Sequence, residues 1–392
     1  MKEPRCIPPL EKNAPVYVAH CDTYDKEILY GIIKDSFAAI GFTDELIRGK
    51  KVMLKPNLVL AKKPEFAATT HPAFVEACVR LLDEMGAASI TLAESPGGQF
   101  NSLNLSLVYR VCEMAPLASD KLKLNDDFTF RSVRSDGVKL KNFHVISAFC
   151  DADVIIDLCK LKSHSLTGMS CATKNLFGLI PGVEKFEMHS SFPEMPDFSE
   201  MLVDLSSYVC SNKTFVAICD GILSMEGNGP SHGEPKKTDL ILVSRSPYAL
   251  DVIAEHIIGC TGEVLHLNAA ASRGLVERDH EKVPVLGLTD YPTFDFKKPD
   301  TSSGFLLKKL PSFAGGRIAK LFGAKPKITD KCVGCGKCAE SCPKHTITIE
   351  KKHGKKRAVI HRENCIRCYC CQELCPIGAV GVKQNALIKI IH

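Results

Sequence analysis

A cysteine run that occurs twice near the end of the chain constrains this sequence more than any other feature. Cys332-x₂-Cys335-x₂-Cys338-x₃-Cys342-Pro343 is followed by Cys365-x₂-Cys368-x₂-Cys371-x₃-Cys375-Pro376. A CxxCxxC turn aims three thiolates at one iron–sulfur cube, and the fourth cysteine of each run reaches across to the other cube. On that rule Cys332, Cys335, Cys338 and Cys375 hold one [4Fe–4S] cluster, and Cys365, Cys368, Cys371 and Cys342 hold a second. Zinc sites of two CxxC pairs use four cysteines and have no need of the longer pattern twice. Disulfides fit poorly in a chain with nineteen cysteines and no secretory signal at its N-terminus. Cys370 falls off the spacing and reads as a packed thiol.

This stretch, roughly residues 327–385, resembles the bacterial two-cluster ferredoxins, with one departure. From Lys327 onward there are 13 Lys and Arg against 5 Asp and Glu. Two oxidised clusters with their thiolates remove roughly four of those charges, and the remainder is still basic. Such a module suits clusters wired to their own chain and fed by an acidic ferredoxin- or flavodoxin-type protein docking on a basic face. Lys351, Lys352, Lys355, Lys356 and Arg357 flank His353-Gly354, and alternating apolar residues on either side predict a β-hairpin with a solvated tip. A solvated hairpin accounts for this charge without nucleic acid.

A chain of 392 residues, 45% hydrophobic, can bury a large core and is expected to hold two domains. We expect an α/β domain over 1–290, a linker over 291–326 rich in Pro, Ser, Gly and Lys, with a short helix at Arg317–Phe322, and the ferredoxin module over 327–392. No apolar run reaches the ~18 residues of a membrane span, and the cysteine content points to a reducing, anaerobic cytoplasm.

Strand and helix signals alternate through the first domain. Strands are predicted at Val16–Cys21, Lys51–Leu54, Ser89–Ala93, Val138–Ile146, Ala152–Leu158, Phe215–Cys219 and Leu240–Val243. Helices are predicted at Asp25–Ile40, His71–Met85, Leu103–Met114, Phe198–Cys210 and Pro247–Gly259. This βαβ pattern implies a mostly parallel sheet with flanking helices, to which the ferredoxin module adds a small α+β unit. In such sheets ligands bind beyond the carboxyl ends of the strands. Strand exits at Lys55-Pro56-Asn57, Glu94, Lys160–His164 and Asp220-Gly221 are therefore expected to share one cleft.

The densest exit is Lys160-Leu161-Lys162-Ser163-His164, followed by Thr167, Gly168 and Ser170, then Lys174 and Asn175 on a short helix. If the strand continues, Lys160, Lys162 and His164 share a face by its period of two. Three such groups repel one another unless an anion sits among them, and the helix start aims N–H groups at the same place. Lys185 and His189 follow the Pro181-Gly182 turn. A second, Gly-rich loop runs from Asp220 to Gly233 and offers Glu226 and Asn228. It contains neither a P-loop nor a GxGxxG fingerprint, so no nucleotide is predicted.

The segments KLKSHSLTGMSCATKNLFGLIPG and DGILSMEGNGP, with Lys55-Pro56-Asn57, resemble the uncharacterised family catalogued as domain of unknown function 362, over roughly residues 15–290. That family often carries a C-terminal ferredoxin-like module, and it is distantly similar to the lactate-racemase-like α/β proteins. The resemblance fixes relatives and not a reaction. The residues themselves suggest a ferredoxin-fed oxidoreductase acting on a small anionic substrate. Lys55, Asn57, Lys160, Lys162, Thr167, Lys174, Asn175, Lys185 and Asn228 are the expected binding groups, with His164, His189 and Glu226 as acid–base groups. Two-electron chemistry run from one-electron centres calls for a flavin, metal or radical intermediary, and no motif names one. The other reading is an electron-transfer or docking subunit without a substrate of its own.

Overall fold

The computed structural model describes residues 11–301, 324–352 and 354–383. The helix expected at Arg317–Phe322 and the hairpin-tip residue His353 lie outside them. Strands β1 (Val16–His20), β2 (Lys51–Pro56), β3 (Ser89–Leu92) and β4 (Leu122–Leu124) are separated by α1 (Lys26–Ala39), α2 (Pro72–Glu84) and α3 (Ser102–Val111). A hairpin of β5 (Phe130–Arg134) and β6 (Asn142–Ile146) leads through α4 (Ser147–Asp151) into β7 (Val154–His164). After β8 (Gly168–Ser170) come α5 (Ala172–Asn175), α6 (Glu184–Ser191), α7 (Met195–Asn212), β9 (Thr214–Glu226) and β10 (Glu234–Ser244). Helices α8 (Pro247–Ile257) and α9 (Leu265–Ser272) and strand β11 (Val285–Gly287) complete the body.

Local chemistry sets these boundaries. The Asp25 carboxylate accepts from the backbone N–H groups of Glu27 and Ile28 and starts α1. Pro72 and Pro247 occupy first-turn positions, where the missing N–H costs no helical bond.

The sheet order is β11-β1-β10-β9-β7-β2-β3-β4, with β8 added to the end of β7. Pairs β9–β7, β7–β2, β2–β3 and β3–β4 are parallel, whereas β10 is antiparallel to both neighbours. All eleven residues of β7 are buried. Its alternate side chains feed two cores: Ile155, Cys159 and Leu161 face α7, α8 and α9, while Val154, Ile156 and Leu158 face α1 and α2. Each such aliphatic side chain contributes about 1.5–3 kcal/mol on burial, which makes β7 the axis of the body.

Three expectations need correction. The strand expected at Val138–Ile146 begins only at Asn142, because the N–H groups of Val138, Lys139 and Leu140 bind the Asp204 carboxylate instead of a sheet partner. The central strand runs to His164, six residues beyond its expected end. The Gly-rich loop expected from Asp220 is strand as far as Glu226, so only residues 227–233 form the turn of a long β9–β10 hairpin.

The C-terminal unit contains β12 (Lys325–Ile328), α10 (Lys337–Glu340), β13 (Ile347–Lys352), β14 (Lys355–Ile360), α11 (Cys370–Glu373) and β15 (Val380–Lys383). Strands β13 and β14 form the expected basic hairpin. The start of the expected linker packs on the body: Phe296 is buried, and the Phe294 N–H donates to the Ile257 carbonyl at 2.7 Å. The two units touch where Leu374 lies over Gly97, since a side chain at Gly97 would collide with it.

Candidate functional site: paired cysteine cavities and a shared cation-lined cleft

The eight expected ligands fall into two cavities. One is lined by Cys332, Cys335, Cys338 and Cys375, with an empty volume of about 320 Å³. The other is lined by Cys342, Cys365, Cys368 and Cys371, with about 350 Å³. Each takes three cysteines from one run and the last cysteine of the other, the exchange the spacing implies. The surroundings suit thiolates. Backbone N–H groups of Ala379 and Thr346 donate to the sulfurs of Cys375 and Cys342 at 3.1 and 3.3 Å. The Ala358 N–H reaches Cys332 at 3.4 Å. Such N–H···S bonds stabilise charge on cluster sulfurs and tune the cluster potential. The residues present therefore fit [4Fe–4S] clusters. Cys370 is buried at the start of α11, outside both sets.

A third cavity, of about 600 Å³, lies at the carboxyl ends of β2, β3 and β7 and is closed on one side by Cys370, Glu373 and Leu374 of the C-terminal unit. Asn57, Lys162, His164, Lys174, Asn175, Lys185 and His189 all line it, drawn from segments far apart in the chain. Lys55, 0% exposed, lies beside it, paired with Glu94, and reaches Asn175 at 3.4 Å. Gly178 has no side chain because the Glu94 carboxylate occupies that space.

The cations differ in how they are satisfied. The Lys162 ammonium donates to Asn57 Oδ1 at 2.9 Å and the Ala68 carbonyl at 2.6 Å, and Lys185 donates to Ser95 Oγ at 2.8 Å. Burial pushes both lysines down to about 7. Lys174 is 9% exposed and, among the described residues, has only the face of Phe177 beneath it, 4.4 Å from the ring centre. Burial lowers its ammonium as well, while the Glu373 charge pulls the other way.

His164, 3% exposed, is held in one tautomer. The N–H groups of Leu166 and Thr167 approach Nδ1 at 3.0 and 3.3 Å, so Nδ1 accepts and the proton resides on Nε2. Nε2 has no partner. Burial, with Lys174 and Lys162 nearby, holds the ring well below its ordinary value, and hence neutral. His189 is likewise pushed down, to about 3, and stacks on Phe198 at 4.4 Å. The ring expected to exchange protons is thus a neutral N–H donor.

Four expected site residues lie elsewhere. Lys160 does not line the cavity, and its ammonium binds Asp220 at 2.6 Å instead. The Thr167 hydroxyl donates to the Met169 carbonyl at 2.9 Å. Glu226 is held by Lys236 at 2.8 Å, and by Lys297, beside the β9–β10 turn. Asn228 donates to Asp300 at 2.9 Å. Conversely, Ser95, Phe177 and Glu373 line the cavity and were not singled out in the sequence. Their signal lay in loops after β3 and α5 and in a ferredoxin helix, none of which reveals its neighbours.

Comparison with known proteins matches the family model described as domain of unknown function DUF362 to residues 52–256, and a 4Fe-4S dicluster domain to residues 331–379. A thylakoid-associated protein of Synechocystis is 28% identical over 266 residues, 66% of this chain and 78% of that protein. A ferredoxin of Methanothermococcus thermolithotrophicus is 35% identical over 57 residues, 14% of this chain and 90% of its own. Among solved structures, the lactate racemase apoprotein of Thermoanaerobacterium thermosaccharolyticum is similar at 11% identity and a TM-score of 0.40. That match covers 63% of this chain and spans 57% of the racemase. No helix among the described residues is long and apolar enough to cross a membrane. This chain is an iron–sulfur protein with a ferredoxin domain at its C-terminus, and its body belongs to the family of domain of unknown function 362.

Proposed function

We propose that this protein carries single electrons from an acidic ferredoxin- or flavodoxin-type donor, through two [4Fe–4S] clusters, to a small anionic substrate reduced in the Lys/His cavity. The observation that supports it is the shared wall. Cys370, Glu373 and Leu374, which line the cavity, belong to the segment that also carries the ligands Cys371 and Cys375. When bound, the clusters supply one electron each.

The chain's own residues do the rest. Among the described residues the Lys174 ammonium and the Nε2–H of His164 have no hydrogen-bond partner, and they hold an oxygen of the substrate. Asn57 and Asn175 fix one another at 2.9 Å and shape the floor. Lys162 and Lys185, held near neutrality, are the groups able to give up a proton at pH 7. Leu374 and Phe177 exclude water, which strengthens every charge interaction within. The donor docks on the exposed Lys351, Lys355 and Lys356. A reducing cytoplasm suits both the clusters and the free thiols.

The test is calorimetry on anaerobically purified, cluster-loaded protein with a panel of small carboxylates and inorganic phosphate. We expect one equivalent of at least one panel member to bind, and Lys174→Met to weaken it about 10- to 100-fold with unchanged iron. If nothing on the panel binds, or if Lys174→Met leaves affinity intact, the cavity is not a substrate site. The protein is then an electron-transfer subunit whose basic hairpin docks partners.

A further inference from the structure

Three buried thiols converge where β7, β9 and the start of α5 pack together. Cys159 on β7 and Cys219 on β9 are direct neighbours across the parallel pair. Cys171 comes from the turn that opens α5, and its sulfur lies 3.8 Å from that of Cys159 and 3.4 Å from that of Cys219. All three are buried and all three sulfurs lie within 4.8 Å of one another. The position of Cys171 is pinned, because the Asp251 carboxylate accepts from the N–H groups of the next two residues, Ala172 and Thr173, at 2.8 and 2.9 Å.

We propose that Cys159, Cys171 and Cys219 form a trigonal site for a soft, thiophilic metal ion, copper(I), separate from the iron–sulfur cysteines. Three arguments carry the assignment. An ion about 2.3 Å from each of three sulfurs sets those sulfurs about 4 Å apart, within the observed spread. Among the described residues no fourth His, Cys or carboxylate joins the set. Structural zinc closes a tetrahedron of four ligands, whereas soft all-sulfur sets select copper(I).

Because the site is closed to solvent, the ion enters as the chain folds.

The experiment therefore uses protein produced in copper-supplemented anaerobic cells, purified with bicinchoninate present to strip surface copper, and assayed for copper and iron. One copper per chain is expected in the wild type. Its X-ray absorption should show a shell of sulfur with no nitrogen or oxygen. Cys171→Ser should lower copper at least tenfold while iron stays constant. Wild-type protein with full iron and no retained copper overturns the proposal, whatever the variant does. So does retained copper that is unchanged in Cys171→Ser, or bound by nitrogen or oxygen. Neither result bears on the substrate cavity.

Discussion

The two kinds of site in this molecule are specified in opposite ways. Each cysteine cavity takes three of its four ligands from one run at two-residue spacing, so local covalent geometry places most of it, and only the fourth comes from the other run. The cation-lined cavity gathers groups from Asn57 to Glu373, and only the packed sheet brings them together. Within the cavity the same contrast recurs. Lys55 is paired with Glu94, whereas Lys174, among the described residues, has only the face of Phe177 beneath it.

Breaking the cysteine side of the comparison should have the largest effect. Cys371→Ser removes a ligand from the cavity shared with Cys342, Cys365 and Cys368. Iron should fall to about half, roughly four of eight ions per chain, because each cube depends on four thiolates. Cys370→Ser, one residue away and outside both ligand sets, should keep its iron. If the two variants lose iron equally, the ligand assignment is wrong.

On the cavity side, Lys55→Met leaves Glu94 buried without its cation, beside Asp157, whose carboxyl burial already holds well above its usual range. Removing one partner of a buried pair costs about 3–5 kcal/mol. The urea midpoint should drop accordingly, against well under 1 kcal/mol for the exposed Lys351→Met control. A small loss for Lys55→Met would mean that the fold does not depend on this pair.

This contrast also explains what the sequence could reveal. Period-two and period-3.6 patterns placed α1, α2, α8 and most of the parallel strands, because those signals are local. The antiparallel insertion of β10 was invisible, since its residues read like those of any buried strand. Lys160, Lys162 and His164 stand out in the sequence as a titratable run, yet nothing local tells that Lys160 pairs with Asp220 while Lys162 and His164 line the cavity. Nor does composition distinguish a surface lysine from one, like Lys162, sealed beneath a ferredoxin helix. The locked tautomer of His164 depends on two backbone N–H groups and becomes legible only once the β7–β8 turn is drawn.

The smallest expected effect is a pair of opposed pH trends that separates the cavity lysines from ordinary ones. In the folded empty protein Lys162 and Lys185 lose their protons near 7, whereas in the unfolded chain they keep them to about 10.4. Between those limits the unfolded state binds more protons, so stability rises with pH. Anion affinity moves the other way, because deprotonation through about 7 strips positive charge from the cavity. We expect affinity for a carboxylate or phosphate ligand to fall about tenfold from pH 6 to pH 9, with proton uptake on binding near pH 7.5. Calorimetry in two buffers of different ionisation enthalpy measures that uptake directly. Below pH 6 the affinity should be flat, because His164 is held neutral and contributes no titration. An inflection near 6.5 would instead show a histidine gaining charge as the ligand binds, and would return proton transfer to His164 or His189.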